Sequence, residues 1–537
     1  MNTQLTDLAR RPAVPADLAG DEPTVPTLTG LLAERARDAG DREFLRFGEC
    51  SWSFAEIDEW TSRLAHRMRE LDGVRAGDRV AIMLTNVVHW PVVWLATLKA
   101  GGVAVPVNCG YQRADLAFVL SDSGARVVFT DAERADLVAD VVAGEELGEV
   151  RVVDVADDGS EGFPVTPPAV DVAADTLANL QYTSGTTGFP KACMLTHGYW
   201  VRLGWICAAT TGLGLDDVLL TSQPFSYMDP QWNTALALTV AAPLVVLPRF
   251  SASTFMADVR DHRATFFYVL GSMPTLLFKQ PASPEDRDND LRMVLCSGIP
   301  VALHAQLQER WGAPWREVYG MTESGIDLFS PFDDADAVGS GSLGHPVPTK
   351  QVRVADPADP QVEVPDGEAG ELVVAGVPMM SGYWNRPDAT AGVLRDGRLH
   401  TGDLVVRRPD GGIQLVGRIK DMVRRGGENV ACAEVEAALE RDDRVVAAAV
   451  VAVPDDLLGE EVKAFVQLRD GVPASRDTAQ QLLERAGAQL ARFKVPRYVE
   501  FVADFPRTAS ERVSKPALKT RASEQPGATY DFARPRS

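Results

Sequence analysis

The sequence is poor in the residues that build metal sites and disulfide frameworks. Its 537 residues include six cysteines and seven histidines, which are scattered and form no Cys-x-x-Cys pair. Zinc sites and disulfide-bonded domains need such residues at short, regular spacings. We therefore expect neither, and isolated reduced thiols are typical of a cytoplasmic protein.

Positive charge is also scarce. The chain has 53 Lys and Arg against 75 Asp and Glu, for a formal net charge of -22. Nucleic-acid-binding proteins need a basic surface to meet the phosphate backbone, so we expect no nucleic-acid partner. A small anionic substrate would need a local positive site against the negative field of the whole chain.

Long apolar runs are missing as well. The run ALALTVAAPLVVLP over residues 235–248 is shorter than a membrane span and contains Pro243, so it predicts a buried helix followed by a strand. The first residues of the chain contain no apolar segment of the secretory type. We therefore expect no stable membrane association and a cytoplasmic location.

The sequence does contain a regular alternation of strand and helix patterns. Short β-forming runs alternate with helical patterns of about a dozen residues up to residue 320 or so, which predicts α/β layers around a largely parallel sheet. Short strands with Asp-Gly and Gly-Gly turns follow and predict a β-rich subdomain. A smaller α+β domain comes last, with a helix predicted over 478–494.

The chain is too long for one compact core, so several domains are expected. The junction of the two main domains is predicted as a short hinge in the GRIKD segment. The predicted divisions are a mobile arm over 1–26, a large N-terminal domain over 27–418, a small C-terminal domain over 419–524 and a disordered tail over 525–537.

One segment, YTSGTTGFPK over residues 182–191, concentrates glycines and hydroxyls around a lysine. Backbone N–H groups of a Gly-rich turn can converge on phosphate oxygens, and Lys191 adds a positive charge. The P-loop pattern fails because no Gly-Lys-Ser/Thr follows Gly185 and Pro190 precedes the lysine, and the dinucleotide pattern fails too. The segment is either a flexible polar turn or a phosphate loop of another kind.

Four motifs in order resemble the adenylate-forming superfamily, which contains acyl-CoA synthetases, peptide-synthetase adenylation domains and firefly luciferase. The loop is followed by YGMTES at 319–324, TGD at 401–403 and GRIKDMVRRGGENV at 417–430. The resemblance implies that a carboxylate attacks the α-phosphate of ATP, that pyrophosphate leaves and that an acyl-adenylate forms. It also implies Mg²⁺, CoA in the acyl-CoA synthetase branch, and a mobile C-terminal domain.

The resemblance implies a role for each motif. The loop would hold the leaving β- and γ-phosphates, Thr322 would contact phosphate, and Glu323 would bind Mg²⁺, which prefers hard oxygen ligands. Ribose would be bound by Asp403 with support from Arg418. The loop residues are Thr183, Ser184, Gly185, Thr186, Thr187 and Lys191, and the adenine site would comprise Ser297, Gly298, Ile299, Tyr319 and Gly320.

The C-terminal part of the resemblance concerns the second half-reaction. Lys420 falls on the hinge position of the family. Gly426 and Gly427 would line the pantetheine tunnel, where a glycine lets a thin chain pass close to the backbone. A plain Gly-Gly turn is the alternative.

The sequence departs from the family where an adenylating lysine is expected. In PRTASERVSKPALK, alignment on Pro506 places Glu511 at the usual glycine and Arg512 at the usual lysine. Arginine keeps the positive charge but is a larger planar fork. Arg512 is favoured for the role, while Lys515, through a local shift of register, is the alternative.

A second departure lies in the acid-binding region. Acyl-CoA synthetases commonly carry an aromatic–histidine pair there, whereas this chain has PFSYMDPQW, with Tyr227 at the expected histidine. Together with Asp229 and Trp232, this favours a compact, aromatic or amine-bearing acid over a long fatty acid. Tyr227 and Trp232 could also be core aromatics.

The sequence thus favours an ATP-dependent acid–CoA ligase for a small or aromatic carboxylic acid. Three alternatives stay open at this point. The activated group could pass to a non-CoA acceptor, as in a diazotase that activates nitrite for an aryl amine, or to a carrier protein. The chain could also be an inactive nucleotide-binding paralogue, against which the complete set of phosphate, metal and ribose residues argues.

Overall fold

The computed structural model describes residues 23–144, 147, 149–183, 190–425, 428–455, 458–507, 513–524 and 529–532. Within it the chain forms two compact units. The first contains Met1–Gln351 and Val374–Leu399, and the second contains Val352–Val373 and His400–Ser537. The predicted arm lies mostly outside the described residues, and the hinge at Lys420 stays a prediction.

Strands and helices alternate through the first unit, as the sequence predicts. The helices are α1 (Leu28–Asp38), α2 (Phe54–Glu70), α3 (His89–Lys99), α4 (Arg113–Ser123), α5 (Ala135–Gly144), α6 (His197–Thr211), α7 (Met228–Val240), α8 (Phe255–Asp261), α9 (Met273–Phe278), α10 (His304–Trp311) and α11 (Pro387–Val393). The strands are β1 (Glu43–Phe47), β2 (Cys50–Ser53), β3 (Arg79–Met83), β4 (Val103–Pro106), β5 (Ala125–Thr130), β6 (Arg151–Asp154), β7 (Leu177–Thr183), β8 (Lys191–Thr196), β9 (Leu219–Thr221), β10 (Leu244–Val246), β11 (Phe266–Leu270), β12 (Met293–Ser297), β13 (Trp315–Met321), β14 (Gly325–Phe329) and β15 (Ser342–Pro346).

Two sheets organise the first unit. One has the strand order β6-β5-β3-β4-β7-β8 and is parallel except for the final pair. The other runs β15-β14-β13-β12-β11-β9-β10-β1-β2, with parallel pairing from β13 to β1. The prediction of α/β layers around largely parallel sheets is confirmed.

Local sequence explains how α7, which carries the predicted acid pocket, is placed. The run 235–248 forms the end of α7 followed by β10, as predicted. Gly204 of α6 faces this helix so closely that an added Cβ would lie 2.6 Å from the Ala235 carbonyl oxygen. Only glycine permits this approach of two helix backbones, and the contact sets α7 against the core.

The second unit is built mainly from antiparallel strands. Its elements, with strands that straddle the division included, are β16 (Lys350–Ala355), β17 (Ala369–Gly376), β19 (Arg398–Arg407), β20 (Ile413–Arg418), β21 (Met422–Arg425), β22 (Glu428–Ala431), α12 (Cys432–Glu440), β23 (Val445–Asp455), β24 (Gly459–Leu468), α13 (Arg476–Gly487), β25 (Tyr498–Phe501), α14 (Lys515–Glu524) and β26 (Thr529–Asp531). The short strand β18 (Leu394–Arg395) belongs to the first unit and pairs antiparallel with the start of β19. One sheet runs β22-β21-β24-β25-β26, with β23 paired to β24, and α12 and α13 cover it with a separate apolar core. The predicted α+β character of this region is confirmed.

Two local predictions in the second unit are wrong. The helix predicted over 478–494 ends at Gly487 and is followed by a separate 3-10 turn at Arg492–Lys494. The tail predicted as disordered contains β26, which pairs antiparallel with β25. The Tyr530 ring packs against Phe501 with ring centroids 5.9 Å apart, so distant contacts hold a segment that has little local pattern.

Candidate active site

The predicted phosphate loop connects two antiparallel strands. Thr183 at the end of β7 and Lys191 at the start of β8 are register partners, and the Thr183 hydroxyl donates to the Lys191 carbonyl at 3.3 Å. A P-loop instead leads from a strand into a helix, which agrees with the absence of its sequence pattern. Four predicted loop residues, Ser184, Gly185, Thr186 and Thr187, lie outside the described residues.

Lys191 and Glu323, predicted for phosphate and metal, share one aromatic neighbour. The Lys191 Nζ atom lies 5.2 Å from the centroid of the Tyr383 ring. The Tyr383 hydroxyl donates to Glu323 Oε1 at 2.7 Å, and both side chains are buried. Tyr383 thus contacts residues from two separate motifs, and the sequence patterns did not single it out.

The turn that carries Thr322 and Glu323 is fixed from three directions. The carbonyl oxygens of residues 322, 323 and 324 each accept a hydrogen bond from a different part of the first unit. The donors are, in that order, the Tyr199 hydroxyl at 3.0 Å, the Met380 N–H at 2.7 Å and the Lys350 ammonium at 2.7 Å. Because every carbonyl is used, the direction of the Thr322 and Glu323 side chains is set by the fold.

Lys350 belongs to a buried ion pair behind this turn. Its Nζ atom lies 3.2 Å from Asp327 Oδ1, and both side chains are fully buried. Asp327 also accepts the Ser324 hydroxyl at 2.6 Å. Burial raises the pKa of Asp327 and lowers the pKa of Lys350. Removing one partner would leave an uncompensated buried charge, so the pair ties the turn to β16.

The predicted adenine segment is held by Glu317, a residue that no sequence motif indicated. The N–H groups of Gly298 and Ile299 donate to the two carboxylate oxygens of Glu317 at 2.6 and 2.8 Å. The Ser297 hydroxyl donates to the Val318 carbonyl at 2.7 Å. The only sequence signal for Glu317 is its place two residues before Tyr319.

Tyr319 and Gly320 lie at the β13–β14 turn. Tyr319 is half-buried and its register partner is Leu328. A Cβ added to Gly320 would collide with the Gly325 carbonyl oxygen, which explains why glycine is required there. The structure thus gives Gly320 a steric role in the turn, while its predicted contact with the nucleotide stays a prediction.

The carboxyl of Glu317 is buried, and burial raises its pKa to about 7, against the two backbone donors. The ordinary pKa is 4.5, so the folded state binds more protons than the unfolded state between these values. The contribution of the Glu317 carboxyl to the free energy of unfolding is therefore fully present below pH 4.5 and is lost as the pH rises through 7. We expect the wild type to lose about 2 kcal/mol more stability from pH 5 to pH 8 than Glu317→Gln.

Tryptophan fluorescence during urea unfolding would measure this difference. All ten tryptophans lie within the residue ranges of the first unit, so the signal reports on that unit. Glu440→Gln, in the second unit, is the matched control. If the free energy of unfolding depends on pH equally in the wild type and in Glu317→Gln, the pKa of the Glu317 carboxyl is not raised by folding.

The predicted acid-pocket residues surround the start of α7. Tyr227 precedes its first residue, and its hydroxyl accepts from Asn108 Nδ2 at 3.0 Å. Asp229 is half-buried in the first turn, where the helix dipole favours a negative charge. Trp232 is buried and meets Tyr268 edge to face at 5.3 Å, so it packs as a core aromatic as well.

Tyr268 connects this region with the adenine segment. Its hydroxyl donates to Ser297 Oγ at 2.9 Å, and its ring contacts Trp232. Burial, followed by the nearby Asp229 carboxylate, raises the pKa of Tyr268. The first unit therefore brings the predicted acid pocket and the predicted adenine segment together through one buried tyrosine.

In the second unit, Asp403 and Arg418 face each other as register partners of β19 and β20. Arg418 Nε lies 2.7 Å from Asp403 Oδ1, and the carboxylate is buried while the arginine is half-exposed. The Asp403 N–H donates to Thr401 Oγ1, whose hydroxyl donates to the Leu372 carbonyl. The strand pairing thus presents a buried carboxylate in a fixed direction.

Lys515, the alternative adenylating cation, is already engaged. Its Nζ atom lies 2.8 Å from Glu436 Oε1 and 3.9 Å from Asp421 Oδ2. Although burial opposes the charge, the neighbouring carboxylate of Glu436 helps to raise the pKa of Lys515. Arg512, Gly426 and Gly427 lie outside the described residues, and Lys420 is placed only by its backbone in a 3-10 turn.

Within the part of the chain that the structure describes, neither a preassembled metal cluster nor a membrane-spanning helix is found. No group of three or more His, Cys, Asp or Glu side chains is arranged to hold a metal ion there. A single carboxylate such as Glu323 would therefore need phosphate oxygens and water to complete a Mg²⁺ shell, which is the usual arrangement for this ion. Within the same residues, no helix combines the length and apolar character needed to cross a bilayer.

Comparisons with known proteins agree with these motifs. The family model described as AMP-binding enzyme matches residues 32–384, and the AMP-binding enzyme C-terminal domain matches residues 434–512. The chain belongs to the AMP-binding enzyme family. It is an ATP-dependent ligase of the acid–CoA type, which forms an acyl-adenylate and then a CoA thioester.

Relatives and solved structures cover nearly the whole enzyme. Feruloyl-CoA synthase from Amycolatopsis sp is 37% identical over 91% of this chain and 97% of its own length. Crotonobetaine/carnitine–CoA ligase from Escherichia fergusonii is 32% identical over 87% and 93%. ATP-bound MatB from Rhodopseudomonas palustris has a TM-score of 0.83 at 28% identity, covering 92% of this chain and 99% of that one.

A structure of o-succinylbenzoate CoA synthetase (MenE) from Bacillus subtilis carries its acyl-adenylate intermediate. It has a TM-score of 0.82 at 26% identity and covers 92% of this chain and 98% of that one. The relatives named here are CoA ligases or synthases, so the nitrite and carrier-protein alternatives gain no support from them.

Proposed function

We propose that the enzyme activates a compact aryl carboxylic acid in the cytoplasm, with ATP as its magnesium complex and CoA as the acceptor. The observation that carries the aryl preference is the aromatic and polar surrounding of the α7 N-terminus. Tyr227 and Trp232 provide ring surfaces, and Asn108 and Asp229 provide polar atoms. Such a surface suits a flat ring with a hydroxyl or amino substituent better than an alkyl chain.

The phosphate and metal roles are proposed for residues of the first unit. Lys191 supplies positive charge to the leaving β- and γ-phosphates, and Thr322 supplies a hydroxyl donor. Glu323 offers a carboxylate with one oxygen already fixed by Tyr383, so a hard oxygen ligand is presented in a defined direction. The Glu323 carboxylate fits Mg²⁺, which would neutralise phosphate charge when it is bound.

The adenine segment is proposed to recognise the base mainly through carbonyl groups. The N–H groups of Gly298 and Ile299 are taken by Glu317. Carbonyl oxygens of Ser297 to Ile299 are acceptors, which suits the amino group of adenine. Tyr319 is proposed to stack on the base.

The proposed reaction has two steps. First, a carboxylate oxygen of the acid attacks the α-phosphorus of ATP, and the bond to the β-phosphate oxygen breaks with release of pyrophosphate. Next, the CoA sulfur attacks the acyl carbon, AMP leaves with the carboxyl oxygen, and the thiol proton is lost. Fixed positive charges lower the barrier of the first step because they are already in place when charge develops.

The remaining roles are proposed for the second unit. Asp403 accepts hydrogen bonds from the ribose hydroxyls, and Arg418 orients Asp403 through their ion pair. Lys420 is the hinge between the two half-reactions. Gly426 and Gly427 line the path of the pantetheine arm.

A substrate panel tests the aryl preference. Pyrophosphate release would be followed with ferulate, 4-aminobenzoate, carnitine and octanoate, each with and without CoA, and thioesters would be identified by mass. We expect an aryl acid to exceed octanoate about tenfold or more in kcat/KM, because ring stacking and a polar contact together contribute about 1.5 kcal/mol or more. Preference for octanoate or carnitine would overturn the aryl assignment. Pyrophosphate release that needs nitrite and an aryl amine but not CoA would contradict the assignment of CoA as the acceptor.

A further inference from the structure

Tyr383 lies outside the four motifs that define the family resemblance, yet it touches two of them. Its hydroxyl donates to Glu323 Oε1 at 2.7 Å, and its ring centroid is 5.2 Å from Lys191 Nζ. The side chain is only 7% exposed, so these contacts are not those of a mobile surface group. One aromatic side chain therefore meets the cation of the phosphate loop and the carboxylate of the YGMTES motif.

The backbone fixes Tyr383 relative to the phosphate loop. Residues 381–384 exchange hydrogen bonds of 2.8 to 2.9 Å with Ala192 and Met194 of β8, the strand that begins at Lys191. Cys193 and Tyr383 themselves form a β-bridge. The tyrosine is thus part of a short antiparallel ladder with the strand that follows the loop, and it cannot shift without breaking that ladder.

The same segment is also fixed relative to Glu323. The Met380 N–H donates to the Glu323 carbonyl at 2.7 Å, three residues before the tyrosine hydroxyl reaches the carboxylate. Backbone and side chain of Glu323 are therefore held by one stretch of chain. Any displacement of this stretch moves the carboxylate and the lysine environment together.

Lys191 and Glu323 carry opposite charges and share Tyr383 as a neighbour. The ion pairs of the described residues include none between Lys191 and Glu323, although both contact Tyr383. The electron-rich ring face gives the ammonium a partner within the range of a cation–π contact. The hydroxyl occupies one carboxylate oxygen. The Lys191 ammonium and the Glu323 carboxylate each have Tyr383 as a neighbour and can therefore bind different parts of one ligand, the phosphates and the metal ion of magnesium–ATP.

We propose that Tyr383 is a positioning residue that holds Glu323 through its hydroxyl and Lys191 through its ring, so that metal and phosphate charges are met by separate groups. The inference rests on the roles proposed for Lys191 and Glu323. Tyr383 touches neither substrate nor metal in this assignment. Its hydroxyl governs the magnesium-dependent part of nucleotide binding, and its ring governs the part that does not need magnesium.

Equilibrium binding of a non-hydrolysable ATP analogue, measured by calorimetry in Mg²⁺ and in EDTA, separates the two contacts. Tyr383→Phe keeps the ring and loses the hydroxyl, so affinity in Mg²⁺ should fall about tenfold while affinity in EDTA changes less than about twofold. Tyr383→Leu loses both, so affinity in EDTA should also fall, by about threefold. The Mg²⁺ concentration for half-maximal pyrophosphate release should rise in parallel for both variants.

The controls distinguish a positioning role from general damage. Tyr530→Phe removes a tyrosine hydroxyl that bonds only the Ala474 carbonyl among the described contacts, and it should bind like the wild type. Tryptophan fluorescence confirms folding of the first unit. If the Tyr383→Phe enzyme has the wild-type affinity for the analogue in both Mg²⁺ and EDTA, the role of the hydroxyl is wrong. If the Tyr383→Leu and Tyr383→Phe enzymes have equal affinities in EDTA, the role of the ring is wrong.

A separate variant tests the metal role of Glu323, on which this inference rests. Glu323→Gln removes the charged carboxylate and should abolish most of the Mg²⁺-dependent gain in affinity. If Glu323→Gln keeps that gain, the metal role of Glu323 is wrong whatever Tyr383 does. If Glu323→Gln loses it and Tyr383→Phe does not, only the inference about Tyr383 is wrong.

Discussion

Replacing Asp403 with alanine is expected to lower kcat/KM for ATP about a hundredfold or more. The proposed ribose contacts are two hydrogen bonds to a carboxylate, each worth about 1.5–3 kcal/mol. The carboxylate is buried and lies 2.7 Å from Arg418 Nε, and the backbone N–H of Asp403 donates to Thr401 Oγ1, so a water molecule is a poor substitute for this side chain. Asp403→Asn keeps the shape and loses the charge, and it should fall between the wild type and Asp403→Ala.

A matched variant separates this effect from damage to the strand pair. Asp410 is an exposed aspartate in the turn between β19 and β20, where it pairs with Arg408. Asp410→Ala should leave kcat/KM for ATP within about twofold, because exposed pairs contribute little. ATP affinity measured by calorimetry should follow the same order as kcat/KM. An Asp403→Ala enzyme within threefold of the wild type would remove Asp403 from the ribose site.

The alternation of elements was predictable from sequence because it depends on local period. The buried strands of the first unit read as continuous apolar runs, and the 235–248 run was correctly divided into helix and strand. The α13 prediction overran because the apolar period continues past Gly487 while the chain turns there. The strand β26 was missed because its partner, β25, lies about thirty residues away and nothing local requires it.

The residues of the candidate site also fall into two classes, those that a local motif identifies and those that only distant contacts bring to the site. Lys191, Thr322 and Glu323 were identified because each belongs to a contiguous motif with a recognisable spacing. Tyr383 was missed because it reaches Glu323 across 60 residues of chain. Its segment, SGYWNRP, has no spacing that points to phosphate or metal. The β8 ladder and the bond from Met380 to the Glu323 carbonyl bring it to the site.

Glu317 was missed for a different reason. It lies inside a strand two residues before Tyr319, where a charged side chain gives no sign of its partners. Its function as an acceptor for Gly298 and Ile299 depends on parallel pairing of β12 with β13. A buried carboxylate can be recognised from sequence only once the burial of its strand is known.

Arg512 and Lys515 are the two alternatives for the adenylating cation, and the backbone contacts of residues 506–507 with residues 513–514 bear on the choice between them. Arg507 and Val513 form a β-bridge, and the Ser514 N–H donates to the Pro506 carbonyl at 2.7 Å. These bonds fix the register at which α14 begins. Lys515 is the first residue of that helix, so the register shift it would need breaks both bonds.

We propose Arg512 as the adenylating cation, so Arg512→Ala should lower acid-dependent pyrophosphate release about a hundredfold or more, because losing a positive charge that stabilises the α-phosphate costs about 3 kcal/mol. Thioester formation from pre-made acyl-adenylate and CoA should change less than about threefold, since that step breaks the acyl carbon–oxygen bond and no phosphorus–oxygen bond. Arg512→Lys restores the residue type of the family and should recover adenylation at least in part.

Lys515→Met is the matched comparison for this prediction. Lys515 Nζ lies 2.8 Å from Glu436 Oε1 in a largely buried pair, so its loss should destabilise the second unit while adenylation at low temperature stays within about fivefold. Thermal unfolding measures the first effect, and pyrophosphate release measures the second. If Lys515→Met abolishes adenylation and Arg512→Ala does not, the adenylating cation is Lys515, and the bonds of Arg507 with Val513 and of Ser514 with Pro506 must break during the reaction. Loss in both variants, with thioester formation intact, would mean that the two cations act on the same step, since a folding defect would reduce both half-reactions.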